Sequence, residues 1–165
     1  MDVMPMPSNT LTPNEFLVSC KKLFGSIKFV KAQSFYWSPR TKSVHYDLSK
    51  LRSQEGKWAL LHETAHAELG HSSYPNDFGL LLHEVAAWAK AHEIAKTLGI
   101  TIDTDHVEDC LDTYREWLYA RSTCPTCSLN GLQISQDTYS CINCLGNWRV
   151  SKSRFCRPYR LKIST

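Results

Sequence analysis

Residues 59–71 read ALLHETAHAELGH and carry His62, Glu63, His66 and His71 in a mostly aliphatic segment. His62 and His66 are four apart, so on a helix they project from one face and present two imidazoles to one cation, with Glu63 beside them. Zinc accepts neutral imidazole nitrogen and, in a catalytic site, keeps one coordination position for water. Glu63 would take the proton from that water as it attacks a carbonyl and later deliver it to the leaving amine. That is the chemistry of a zinc hydrolase. The competing account is a helix whose surface histidines match the pattern by chance. Apolar flanks and the strand-like segments upstream favour the hydrolase.

Two histidines hold a catalytic zinc poorly, so a third protein ligand is expected. His71, His83, Glu84 and Glu93 are the downstream candidates. At roughly 100° per residue, His71 lies about 140° around the helix from His66, off the metal face unless Gly70 breaks the helix. Glu93 has Lys90 and Lys96 three residues away on either side, which suits a solvated ion pair. His83 lies near Leu80 and Ala87 but also in line with Lys90. Glu84 sits among Leu80, Leu81, Ala87, Trp88 and Ala91 at helical spacing. A carboxylate within an apolar stripe is costly unless neutralised, and zinc would neutralise it. Its alternative is a buried pairing with Arg115 or a histidine.

A second cluster lies downstream in CPTCSLNGLQISQDTYSCINC, residues 124–144. Each CxxC turn lets two thiolates reach one ion, and Cys124, Cys127, Cys141 and Cys144 together make the closed tetrahedral shell of a structural zinc. The intervening GLQISQDTYS reads as a short hairpin. Two zinc ions per chain are therefore expected, one catalytic and one structural. Cys20, Cys110 and Cys156 remain, and burial as small apolar groups is their default role.

The elements that must position these residues follow from the surrounding pattern. Thr12, Pro13 and Glu15 spell a capping box ahead of a helix that stops near Gly25. SIKFVKAQSFYW and SVHYDL read as strands of a small sheet, the last two joined as a hairpin by SPRTK. SKLRSQEG is a polar connector, and a helix from about Lys57 ends at Gly70. A second helix, LLLHEVAAWAKAHEIAKTL, closes at Gly99. A third starts at an Asp or Thr cap near 103–104 and ends before Thr123. Over 165 residues, with 42% hydrophobic, this makes one main domain with a small appendage.

WALLHETAHA leading to EVAA at 84–87 resembles the gluzincin class of zinc peptidases, and within it the compact ImmA/IrrE-type metallopeptidases. The resemblance covers roughly residues 35–98; Thr64 and Ala65 stand where that family usually has an aliphatic–Gly pair. It implies an α+β fold: a compact zincin-like domain over 12–121, with His62, His66 and Glu84 on the catalytic zinc and Glu63 as general base. SVHYDL would be the edge strand that pairs with an extended protein or peptide substrate. His71, Tyr74 and Tyr114 are candidate oxyanion donors. A lead-in over 1–11, a zinc ribbon over 122–150 and a basic tail over 151–165 complete the expected organisation. A metallopeptidase followed by a ribbon also resembles the SprT/Spartan-like proteases, which act on proteins attached to DNA. There the third ligand is a histidine, for which this chain offers His71 or His83. A non-catalytic protein whose zincs stabilise a binding surface is the alternative of another class.

Charge adds a partner class. Residues 145–165 carry six Lys/Arg and no acid, and interleave Trp148, Phe155 and Tyr159 with them, a mixture suited to phosphate contact and base stacking on a nucleic acid. Residues 101–117 carry six acids and one Arg, so docking of the tail on that segment is the competing account. No apolar stretch approaches a membrane span, and the N-terminus lacks the pattern of a secretory signal. Paired CxxC motifs without an export signal place the chain in a reducing compartment, with cytoplasmic localisation expected.

Overall fold

The computed structural model describes residues 11–152, 154 and 159–163. Most of the expected lead-in, and Phe155 and Cys156 of the expected tail, lie outside the described residues. The fold is α+β, and it divides into two compact units: the chain up to Ser72 with Lys90–Thr101, and Ser73–Ala89 with the chain from Ile102 onward.

In the first unit, α1 (Pro13–Leu23) opens with the expected capping box. The Glu15 N–H donates to Thr12 Oγ1 at 3.3 Å, and the Thr12 N–H donates to Glu15 Oε2 at 2.8 Å. Its buried face carries Phe16, Leu17 and Cys20. β1 (Lys28–Lys31), β2 (Tyr36–Ser38) and β3 (Ser43–Tyr46) form a sheet of order β1-β3-β2. β2 and β3 are the expected antiparallel hairpin, while β1 joins β3 in parallel.

β3 is thus the central strand, not the edge strand expected for SVHYDL. Its backbone is paired on both sides, and Ser43, Val44 and Tyr46 are buried. Alternation along a strand reports which face is covered but not which neighbours lie beside it. Of the hairpin, it is β2 that lies at an edge of the sheet.

α2 (Gln54–Glu68) packs on β2 and β3. It starts three residues before Lys57, because Ser53 caps it by accepting the Gly56 N–H at 3.0 Å. Gly56 reads as a helix breaker, yet a Cβ there would stand 1.9 Å from the Lys50 carbonyl oxygen of the preceding 3-10 turn, so only glycine fits. Leu60, Leu61 and Ala65 are fully buried, each large aliphatic contributing about 1.5–3 kcal/mol. At the other end Gly70 adopts φ +65°, the left-handed conformation glycine reaches without strain. The Gly70 N–H then donates to the Ala67 carbonyl at 3.1 Å and the His71 N–H to the His66 carbonyl at 3.0 Å, a Schellman motif.

In the second unit, residues 77–89 of α3 (Asp77–Thr97) and α4 (Thr104–Ser122, capped by Asp103) accompany a four-strand antiparallel sheet. β4 (Leu132–Ser135), β5 (Thr138–Ser140), β6 (Asn147–Val150) and β7 (Arg160–Ile163) lie in sequential order, β4 and β5 being the expected hairpin. The core beneath them is small: Tyr139, Trp148 and Val150 packed with Cys124, Cys127 and Cys141. Asp77, at the start of α3, is buried. Its carboxylate accepts from Arg121 Nε at 2.6 Å and from the Tyr139 hydroxyl at 2.7 Å, and its N–H donates to Gln133 Oε1 at 2.7 Å. Among the described residues no helix is long and apolar enough to cross a membrane.

Candidate metal centres

His62 and His66 extend from adjacent turns of α2, each 8% exposed. Their Nε2 atoms converge to 3.1 Å, with the rings nearly perpendicular at 89°. Two nitrogens bound to one tetrahedral zinc at about 2.0–2.1 Å would stand about 3.3 Å apart, so this pair has the spacing of two ligands of one ion. Glu84, 6% exposed, completes the group: one ligand atom from each of His62, His66 and Glu84 lies within 4.8 Å of the others. Ala87, Trp88 and Ala91, the apolar residues at helical spacing after it, are buried. The donor set, two imidazoles and one carboxylate, could hold a metal ion, and the carboxylate offsets part of its charge.

Glu63 is half-buried beside this group and not part of it. Its Oε2 accepts the backbone N–H of Trp37 at 2.8 Å, which fixes the carboxyl against the edge strand β2. The other candidates separate. Glu93 is exposed and paired with Lys90 at 3.0 Å, the ion pair its spacing predicts. Arg115, considered as a partner for Glu84, instead bonds Glu108 and Asp112, each at 2.7 Å, on the surface of α4. His83 is half-buried on α3 and outside the ligand group. Tyr74 is exposed, and the ring of Tyr114 carries the Arg154 guanidinium 3.7 Å from its centroid.

His71 also lies outside the group of potential ligands, yet it touches one member, His66. Its Nδ1 is 2.8 Å from Nδ1 of His66, on the side of that ring away from His62. Helical extrapolation sends His71 off the face; the Schellman turn at Gly70 brings it back. The Gly-His pair after the helix was the available signal. Trp37 gave none: its indole N–H donates to the His71 carbonyl at 2.7 Å across 34 residues of chain.

The four cysteines form a second group of potential ligands. Cys124 Sγ is 3.6 Å from Cys144 Sγ, and Cys127 Sγ is 3.4 Å from Cys141 Sγ. Disulfide sulfurs stand about 2.05 Å apart, whereas thiolates around one tetrahedral zinc, bound at about 2.3 Å, would stand about 3.8 Å apart. Backbone N–H groups aim at the sulfurs, Thr126 at Cys124 and Cys144 at Cys141. Burial raises the Cys124 thiol, but the N–H groups of Cys127 and Thr126 outweigh it and hold the pKa at about 6. Cys141 is lowered too, first by the Cys144 N–H. Cys144 goes the other way: the Gly146 N–H lowers it, but Cys124, burial and the other two sulfurs push it up to about 11, so thiolate is favoured at Cys124 and Cys141 and not at Cys144. By contrast Cys20 is buried and pushed up to about 12, an inert thiol.

The stacking proposed for the C-terminal region loses one member. Trp148 is fully buried and donates its indole N–H to the Arg121 carbonyl at 2.8 Å, because the four-cysteine module needs that ring for its core. Tyr159 remains 50% exposed. In comparison with known proteins, the chain matches no family model, no curated protein and no solved structure.

Proposed function

We propose that the chain is a zinc-dependent endopeptidase of zincin-like build, similar in plan to the ImmA/IrrE-type metallopeptidases, with a C-terminal zinc ribbon. The observation that carries this is the convergence of His62, His66 and Glu84 within 4.8 Å, with Glu63 set one residue along α2 from His62. His62 and His66 would hold the catalytic zinc through Nε2, and Glu84 through its carboxylate. A zinc ion bound there would act as a Lewis acid toward the scissile carbonyl and lower the pKa of water. Glu63, held through one oxygen by the Trp37 N–H, takes a proton from the attacking water and passes it to the leaving amine. Cys124, Cys127, Cys141 and Cys144 hold the second zinc, whose role is to fix a module with few apolar residues of its own.

Zinc counting with activity tests this. The native protein should carry two zincs per chain, His62→Ala one, and Glu63→Gln two with cleavage of an unfolded protein substrate abolished. One zinc in the native protein, or cleavage by Glu63→Gln, overturns the assignment.

A second reading, a SprT-like protease acting on proteins attached to DNA, draws support from the cysteine module after α4 and from the cations Arg149, Lys152, Arg154, Arg160 and Lys162 in and beyond it. DNA-stimulated cleavage would select it. Nucleic-acid binding without cleavage would select the non-catalytic alternative.

A further inference from the structure

In a Schellman motif the residue two beyond the helix cap returns over the residue three before the helix end, and an apolar contact commonly seals that return. Here those two positions are His71 and His66, and the contact is between imidazoles. His71 is held from three sides. Its N–H donates to the His66 carbonyl at 3.0 Å, its carbonyl accepts the Trp37 indole N–H at 2.7 Å, and its Nδ1 meets His66 Nδ1 at 2.8 Å.

A neutral imidazole has one N–H and one lone pair. Across the Nδ1 to Nδ1 contact one ring donates and the other accepts. If His71 donated, His66 would carry its proton on Nε2 and could not ligate. If His66 donates, its Nε2 lone pair points at the place where the Nε2 of His62 also converges. Histidine ligands are commonly oriented in this way by an acceptor on the far nitrogen, and carboxylates or carbonyls usually fill that place.

We propose that His71 is the positioning residue for the metal ligand His66: its Nδ1 accepts the Nδ1–H of His66, fixing both the ring plane and the tautomer that frees Nε2 for the ion. This rests on the assignment of His62, His66 and Glu84 as ligands. It gives the third histidine of the ALLHETAHAELGH stretch a role outside the metal shell. The role follows from Gly70, whose left-handed φ of +65° sends the chain back over His66.

The test is zinc affinity at the histidine site of the full chain, measured by chelator competition at fixed pH, with the cysteine module saturated. His71→Ala should weaken that site about 10–100-fold, leaving the thermal transition and the cysteine-bound zinc in place. His71→Asn, which puts an acceptor oxygen near the position of Nδ1, should restore most of the loss. In the metal-free wild type, long-range nitrogen NMR should show His66 protonated on Nδ1 and not on Nε2, a preference lost in His71→Ala. Affinity within twofold of wild type in His71→Ala, no rescue by Asn, or a His66 proton on Nε2 would overturn the proposal while the ligand assignment stands. A wild-type chain that binds no zinc at His62 and His66 overturns both.

Discussion

The backbone N–H of Trp37 donates to Oε2 of Glu63 at 2.8 Å, joining the edge strand β2 to the helix that carries the histidines. The bond comes from the open side of the strand, where Trp37 faces away from its partner Val44. Proline is tolerated on such an edge, so the N–H is removable without breaking the ladder. Trp37→Phe and Trp37→Pro both lose the indole bond to His71, and only Trp37→Pro loses the bond to Glu63. Cleavage by Trp37→Pro is expected to be about tenfold or more below that of Trp37→Phe, the size of one charge-assisted hydrogen bond, with zinc content equal. Equal rates would remove Trp37 as the group that orients Glu63.

Gly70→Ala tests the turn that returns His71. An alanine held at the φ of +65° found there costs about 1–2 kcal/mol, and asparagine less, so the thermal midpoint should fall in the order Gly, Asn, Ala. A Gly70→Ala chain as stable as wild type would show that the turn is not held in the left-handed form.

Much of this was legible because it is local. His62 and His66 at four-residue spacing, the Thr12 and Asp103 caps, Gly70 and Gly99 at helix ends, and two CxxC pairs all express chemistry within a few residues. The order β1-β3-β2 was not, since a parallel neighbour leaves no turn signal in the chain. The early start of α2 was hidden because Gly56 is required by a contact with Lys50, not by helix propensity. Trp37, whose partners are 26 and 34 residues away, and Asp77, whose partners are 44 to 62 away, join segments that no window of sequence brings together.

Removing the metal expected at Cys124, Cys127, Cys141 and Cys144 should unfold the module around them. Its buried apolar residues other than cysteine are Tyr139, Trp148 and Val150, too few to order four strands alone. Cys127→Ser should expose residues 122–152 to limited proteolysis, release Trp148 from its buried site with a red-shifted emission, and lower bound zinc by one. A protease-resistant Cys127→Ser chain would show that the strands hold without the ion.

Asp77 and Arg121 form an ion pair with side chains 6% and 3% exposed, at the point where α3 begins and α4 ends. Tyr139 adds its hydroxyl to the same carboxylate; burial, then the hydrogen bond to Asp77 and its charge, raise the Tyr139 pKa, so the tyrosine stays a neutral donor. Asp77→Ala would leave a guanidinium buried without its counter-charge, a loss of about 3–5 kcal/mol, read as a lower midpoint in denaturant unfolding. Asp77→Leu combined with Arg121→Met should recover much of it, because an apolar pair of similar volume needs no desolvation of charge. Glu84 follows Asp77 by seven residues, two turns along the same face of α3, and both are buried. Rotation or fraying of that first turn would carry Glu84 with it. Asp77→Ala is therefore expected to weaken zinc at the histidine site as well as stability, and Asp77→Leu with Arg121→Met to restore both in proportion. Restored stability with zinc affinity still reduced would show instead that the carboxylate at 77 acts on the site by its charge and not by holding the helix.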